Sequence, residues 1–325
     1  MTKLINKTDK IYIAGHAGLV GSALRQNLNS KGYSNQILRN KNELDLLDQS
    51  STDKFFDLEK PDVVFVAAAR VGGIQANNTY RAEFIYQNIQ IQNNIIWNAH
   101  IHGVKRLVFL GSSCIYPRNA AQPMQEESLL TGPLEFTNRP YALAKIAGLE
   151  TVNSLYQQYG HKYFSVMPTN LYGPKDNFHP ENSHVLPALI RRFHEAKMSD
   201  LSEVVVWGSG KPKREFLYSE DCADAIVYLA ENLGDKFYSE VSKSESQYFH
   251  VNVGSGEEVE IGELAQIIKK VVGYNGKLSF DSSKPDGAPR KLLDCKKLLN
   301  LGWRPKTSLV DGIEKVYKWY LENRT

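Results

Sequence analysis

The sequence predicts an α/β fold: a doubly wound parallel sheet with a smaller, interleaved C-terminal domain. Three observations carry that expectation. Continuous apolar runs, Pro61-Asp-Val-Val-Phe-Val-Ala67 and Val104-Lys-Arg-Leu-Val-Phe-Leu110, read as strands covered on both faces. Long helix-like segments alternate with them, the pattern of right-handed βαβ units. A glycine-rich turn joins the first strand to the first helix.

Taken in order, the elements begin with a strand at Lys10-Ile-Tyr-Ile-Ala14 and a helix through Val20 to Leu28. A second strand ends near Leu38. The two apolar runs follow, separated by a long helix from about Thr79 to His102. Helix Tyr141 to Tyr159 and strand Tyr163 to Met167 continue the rhythm. This is the Rossmann-type arrangement, in which ligands collect at the carboxyl ends of the strands. After Asn170-Leu-Tyr-Gly-Pro174 the composition shifts to prolines, histidines and aromatics, and the βαβ rhythm breaks. The expected division is therefore a dinucleotide-binding domain over 1–174, with a returning strand and helix around 215–270. A mainly substrate-binding domain spans 175–325. Phe249-His-Val-Asn-Val253 reads as the returning strand, and the polar, serine-rich stretch Ser239 to Gln247 as a surface loop.

Composition narrows the function. The 325 residues, 42% apolar, suffice for about two domains with real cores, which excludes disorder and collagen. Lys and Arg number 39 against 36 Asp and Glu, a net +3 without a basic block, so no nucleic-acid partner is expected. Residues Met1 to Lys10 hold no apolar signal core, and no run is long enough to span a bilayer. Three widely spaced cysteines, Cys114, Cys222 and Cys295, have neither disulfide nor metal-ligand spacing. A soluble protein in a reducing, cytoplasmic setting, without a metal, is the expectation.

The turn Gly15-His16-Ala17-Gly18-Leu19-Val20-Gly21 offers backbone N–H groups and a helix N-terminus to a pyrophosphate. In an NAD-preferring fold the second strand usually ends in an acid that accepts from the ribose. Here it ends Leu38-Arg39-Asn-Lys41, and two cations favour the 2′-phosphate of NADPH; a solvated basic loop is the alternative. Tyr141-Ala-Leu-Ala-Lys145 sets a phenol and an ammonium one helical turn apart, where the cation is expected to lower the phenol pKa. Such a phenol is a general acid for a carbonyl oxygen, and Leu110-Gly111-Ser112-Ser113 places hydroxyls at the end of a sheet strand to polarise the same carbonyl.

Glycine turn, Ser and Tyr-x-x-x-Lys in this order resemble the extended short-chain dehydrogenase/reductase family. Phe109-Leu-Gly-Ser-Ser-Cys-Ile-Tyr-Pro117, Pro168-Thr-Asn-Leu-Tyr-Gly-Pro174, Asn182-Ser-His-Val-Leu-Pro-Ala-Leu-Ile-Arg-Arg-Phe-His194, Val205-Val-Trp-Gly-Ser-Gly210 and Asp286-Gly-Ala-Pro-Arg-Lys-Leu-Leu-Asp294 sharpen it. These look like the GDP-L-fucose synthases within that family. The resemblance implies a homodimeric, NADPH-dependent enzyme that epimerises GDP-4-keto-6-deoxy-D-mannose at C3 and C5 and then reduces the C4 ketone, giving GDP-L-fucose.

The same resemblance implies a reductase triad of Ser112, Tyr141 and Lys145, with Cys114 and His184 as epimerase base and acid. A thiol and an imidazole titrate near enough to neutrality for that work, provided the thiol is partly ionised. Cofactor contacts are implied for Gly15, His16, Ala17, Gly18, Leu19, Val20, Gly21, Arg39, Lys41, Leu44, Leu110, Gly111, Ser112, Ser113, Lys145, Pro168, Thr169, Asn170, Leu171 and His184. Substrate contacts are implied for Arg192, Trp207, Arg214, Asp286 and Lys291. Ala17 departs from the pattern, because an arginine is common there and would hold the 2′-phosphate. A four-helix dimer core is implied from the helices Thr79 to His102 and Tyr141 to Tyr159, with Ile85, Ile89 and Ile96 on one face. Two other readings stay open. One is a nucleotide-sugar epimerase or dehydratase with bound NAD, although a dehydratase wants an acidic pair where Ser113-Cys114-Ile115 stands. The other is a dinucleotide-sensing binding protein, which has no need of Ser112, Tyr141 and Lys145 together.

Overall fold

The computed structural model describes residues 3–180, 182–244, 248–284 and 286–323. β1 (Ile11–Ala14) runs through the glycine turn into α1 (Leu19–Ser30), then β2 (Gln36–Ile37) and α2 (Gln49–Glu59). Asp48 sets the start of α2 by accepting from the Ser51 amide at 3.0 Å. β3 (Val63–Val66), α3 (Ile74–Thr79), α4 (Arg81–Ile101), β4 (Arg106–Leu110), α5 (Arg139–Tyr159) and β5 (Phe164–Pro168) follow. The helix expected from Thr79 begins at Arg81 instead. Tyr80, outside helical geometry at φ −105° and ψ 45°, separates it from α3.

Beyond β5 come β6 (Asn170–Tyr172), α6 (Val185–Met198), β7 (Glu203–Trp207), β8 (Lys213–Tyr218), α7 (Ser219–Asn232) and α8 (Asp235–Ser242). The chain continues with β9 (His250–Val253), β10 (Glu258–Glu260), α9 (Ile261–Val272), β11 (Lys277–Asp281), β12 (Arg290–Lys291), α10 (Lys296–Asn300) and α11 (Leu309–Asn323). The serine-rich stretch is a loop only in part. Residues 239–242 close α8, where Phe237, Tyr238 and Val241 recur at helical spacing and are buried, an apolar stripe that outweighs the polar composition. Glu245, Ser246 and Gln247 lie outside the described residues.

Six parallel strands form the main sheet in the order β2-β1-β3-β4-β5-β9. Strands β1, β3, β4, β5 and β9 are buried along their whole length, as two covered faces require. α4 and α5 pack tightly on one face: a Cβ at Gly148 would stand 2.5 Å from Phe109 and 2.9 Å from Gln92. α4 buries Asn88, Gln92, Asn94 and Asn98, whose side-chain amide groups each donate to a backbone carbonyl, while Gln92 Oε1 is left without a partner. Ile96 does not belong to an outward dimer face. It is fully buried in the chain's own core with Phe56, Val64 and Phe109, and the exposed apolar residues of α4 are Tyr86, Trp97 and Ile101.

The second sheet is centred on β8. β10 runs antiparallel to β8, while β12 pairs with Lys213–Arg214 and β6 with Phe216–Tyr218, both parallel. β8 therefore carries a segment from the middle of the chain beside one from the last forty residues. β7 pairs with β11, and α6, α9 and α11 bury Phe193, Leu264, Ile268 and Val316 in a separate core.

Candidate active site

The glycine turn closes the top of β1. Gly15, at φ +81°, lies so near Ala68 that a Cβ would meet its amide at 2.7 Å, and a Cβ at Gly21 would stand 2.0 Å from the Gly15 carbonyl. Those two glycines serve packing. Gly18 is different: it caps α1 without a side-chain bond and is exposed, so the first amides of α1 are open to an anion. The adjoining His16 Nδ1 is a buried nitrogen with no partner, a group a polar ligand can satisfy. These features fit a dinucleotide phosphate. Arg39 is less free than expected, because it forms an ion pair with Glu59 and donates to Leu38 O at 2.9 Å. Lys41 is exposed, and Leu44 is buried in the core, leaving only its backbone for a ligand.

The catalytic floor lies at the end of β4. Lys145, buried on α5, donates from Nζ to Leu110 O at 2.8 Å and lies 5.8 Å from the centre of the Tyr141 ring. Burial lowers its pKa to about 8. Burial also pushes the Tyr141 phenol well above its ordinary range, contrary to the expectation that Lys145 would lower it. The physical reason is that the ammonium is itself desolvated and spent on a carbonyl, so loss of water dominates at the phenol. Ser112 heads a 3₁₀ turn over Ser113–Ile115 and accepts from the Cys114 amide at 3.4 Å, while Ser113 and Gly111 are buried. Burial raises the Cys114 thiol, opposed by Lys291, Ser112 and Lys145 in that order. Desolvation thus works against the partly ionised thiol expected from chemistry, while Lys291, Ser112 and Lys145 work in its favour.

The other predicted residues arrive from distant elements. His184 stands at the start of α6, where burial and then Lys291 hold its imidazolium below the ordinary value. Lys291 is the register partner of Arg214 across β12 and β8, and burial lowers both pKa values. Arg192 on α6 donates to Val205 O. Asp286 is fastened to the Trp-Gly-Ser turn, accepting from Ser209 N at 2.6 Å and Ser209 Oγ at 2.7 Å, and Trp207 beside it is exposed. Pro168 ends β5 in the core, Leu171 packs against that core, and Thr169 Oγ1 and Asn170 Nδ2 both donate to Glu215 O, at 3.4 and 2.8 Å.

Glu215 was missed by motif reading. It is fully buried on β8, its carboxylate accepts from Gly256 N at 2.8 Å and Leu293 N at 3.1 Å, and its carbonyl holds the 169–170 segment. The available signal is weak: Glu215 is the last of three charged residues, Lys213-Arg-Glu215, that run directly into the apolar Phe216-Leu-Tyr218 of the strand. A groove of about 750 Å³ between α2 and α4, lined among others by Asp53, Gln90 and Trp97, contains none of the predicted residues. Among the described residues no cluster of three or more His, Cys, Asp or Glu could hold a metal, and no helix is long and apolar enough to cross a membrane.

Comparison with known proteins bears on the fold and the family. The NAD dependent epimerase/dehydratase family matches residues 11–241. The chain is 55% identical to GDP-L-fucose synthase of Escherichia coli strain K12, covering 97% of each, and 55% identical to GDP-L-fucose synthase 1 of Arabidopsis thaliana, covering 99% of this chain and 96% of that one. A Campylobacter jejuni GDP-D-glycero-L-gluco-heptose synthase, solved in the presence of NADPH, superposes with a TM-score of 0.91 at 40% identity, covering 98% of this chain and 99% of that one. The chain belongs to the NAD dependent epimerase/dehydratase family, within the extended short-chain dehydrogenases that its motifs resemble.

Proposed function

We propose that this protein is a GDP-4-keto-6-deoxy-D-mannose 3,5-epimerase and 4-reductase that uses NADPH and yields GDP-L-fucose. The observation that carries it is the meeting of the Tyr141–Lys145 helix with the Ser112–Cys114 turn at the end of β4, faced by Lys291. Identity above 50% to GDP-L-fucose synthases over nearly the whole chain supports the reading.

The turn 15–21 and the N-terminus of α1 would hold the pyrophosphate, Arg39 and Lys41 the 2′-phosphate, and Pro168–Leu171 with His184 the nicotinamide. When bound, NADPH supplies the hydride that reduces C4. The protein's own groups handle the protons. Hydrogens at C3 and C5 flank the ketone, and hydroxyls of Tyr141 and Ser112 stabilise the enolate oxygen that forms when one leaves. Cys114, as thiolate, removes that proton from one face of the ring, and His184 returns one from the other. In the reductive step Tyr141 gives its proton to the C4 oxygen. Arg192, Arg214 and Lys291 bind the nucleotide sugar's phosphates and sugar, with Trp207 and Asp286 at the nucleotide.

The test is to incubate the protein with the keto sugar nucleotide and NADPH and identify the product by NMR. GDP-L-fucose is expected; an unchanged sugar nucleotide defeats the reading. A homodimer is part of the same proposal, built on α4 and α5, whose exposed Tyr86, Trp97, Leu143 and Tyr159 suit a helix-to-helix contact. Light scattering at micromolar concentration should give twice the chain mass. A reducing, cytoplasmic setting accords with three free, buried thiols.

A further inference from the structure

Directly beyond the Cys114 turn lies a buried polar cluster that the proposed chemistry does not use. Tyr116, two residues after Cys114, donates its hydroxyl proton to Asn252 Oδ1 at 2.5 Å. His250 Nε2 is 3.2 Å from the Tyr116 hydroxyl oxygen. With the Tyr116 proton already given to Asn252, His250 must donate from Nε2, which leaves Nδ1 as a bare acceptor, and Nδ1 has no partner. All three side chains are nearly or fully buried, and burial holds the His250 pKa near 3, so the ring is neutral. Leaving Tyr116 without these partners would cost the full desolvation of its hydroxyl.

Asn252 reaches the other side as well. Its Nδ2 donates to Met124 O at 3.0 Å and to Asp294 O at 3.1 Å, and its amide donates to Glu126 Oε1 at 3.0 Å. Met124 is in turn bonded to the segment that follows Lys291: Met124 N donates to Leu292 O and Asp294 N to Met124 O, each at 2.8 Å. One side chain on β9 therefore grips the strand end bearing Lys291 and, through Tyr116, the turn bearing Cys114. These parts come from residues 114–126, 250–252 and 291–294, and nothing local in the sequence sets their spacing.

We propose that Tyr116 and Asn252 are positioning residues for the epimerase step, holding the Cys114 thiol and the Lys291 ammonium in one register. This rests on the reading of Cys114 as the epimerase base. Lys291 is the charge that acts most on the thiol; Lys145 and Tyr141 face it from α5 and Ser112 from its own turn. Behind the turn the charged groups include Glu126 and Glu127, 3.8 and 4.0 Å from Lys297. Misplacement of a reacting group by about 1 Å is enough to slow a step by about a hundredfold, so small slippage in this clamp is felt at the proton transfer.

The experiment uses the full-length protein and two variants, each breaking one arm. Tyr116→Phe removes the hydroxyl; Asn252→Asp keeps size and an acceptor for Tyr116 but loses the donations to Met124 O and Asp294 O. Four quantities are read: NADPH affinity by fluorescence, deuterium uptake at C3 and C5, the share of 6-deoxy product retaining the starting configuration, and the pH midpoint of Cys114 thiolate absorbance, with Cys114→Ser as blank. The expected result is unchanged NADPH affinity, deuterium uptake down about tenfold or more, a larger share of unepimerised product, and a thiolate midpoint moved to higher pH. Wild-type uptake and midpoint in both variants overturn the proposal. So does a proportional loss of uptake, reduction and NADPH affinity, which marks a merely structural role. If Cys114→Ser itself takes up deuterium at the wild-type rate, the base assignment falls and the positioning role with it. A Cys114→Ser defect beside wild-type Tyr116→Phe and Asn252→Asp overturns the positioning alone.

Discussion

Two buried thiols, Cys114 and Cys295, are almost equally hidden, at 7% and 6% exposure, yet their surroundings have opposite charge. Burial raises both. At Cys114 the next influences are Lys291, Ser112 and Lys145, all favouring the thiolate. At Cys295 they are Glu215 and Glu126, both opposing it, and the thiol is driven far above its ordinary range. Burial alone therefore does not separate an inert cysteine from a reactive one. The sign of the charge brought up by other parts of the chain does.

The largest test of that contrast is the paired substitution Cys114→Ser and Cys295→Ser. A hydroxyl is too weak an acid to ionise near neutrality, so Cys114→Ser should lose deuterium uptake at C3 and C5 by about 10²–10⁴-fold, leaving slow reduction of the unepimerised keto sugar. Cys295→Ser should leave uptake and reduction unchanged. Equal behaviour of the two variants would break the comparison. Tyr141→Phe is the mirror experiment: NADPH consumption should fall by about 10²–10⁴-fold while deuterium uptake persists at a reduced level.

A smaller effect is expected when the cation is removed instead of the thiol. Lys291→Met should raise the Cys114 pKa further, because the charge that most opposes desolvation is gone. A raised thiol pKa means less thiolate at neutral pH, so uptake should fall about tenfold there and recover as pH rises towards the new midpoint. KM for the sugar nucleotide should also rise, and Cys295 should be unaffected. If uptake in this variant keeps the wild-type pH profile, the charge contrast is not what activates Cys114.

The smallest change belongs to a region remote from both thiols. Arg39→Ala should lower the preference for NADPH over NADH, measured as the ratio of kcat/KM, by only a few-fold, roughly 1 kcal/mol or less. Its guanidinium is already paired with Glu59, and Ala17 supplies no charge. Neither thiol should respond.

The cofactor half was legible because its signals are local. A strand, a Gly15-x-x-Gly18-x-x-Gly21 turn and a helix lie within twenty residues, and Tyr141 and Lys145 share a helix face whatever else the chain does. The misread elements failed for equally physical reasons. Tyr80 breaks a helix that periodicity alone would continue, and Ile96 has the spacing of an outward face but lies in the chain's own core. Glu59, Glu215 and the cluster of Tyr116, His250 and Asn252 were invisible as partners, since each pair is joined across twenty or more residues.

By itself the sequence determined the parallel sheet, the glycine turn and the shared helix face of Tyr141 and Lys145, because apolar patterning, turn conformation and helix spacing are set by neighbours a few residues away. Only the tertiary structure decided which groups feel one another. Pairing of β12 with β8 sets Lys291 beside Arg214, and β9 ties the Lys291 segment to the Cys114 turn. Whether a buried thiol can ionise depends on the sum of desolvation and charge from all its spatial neighbours, and that sum exists only after the distant segments have packed.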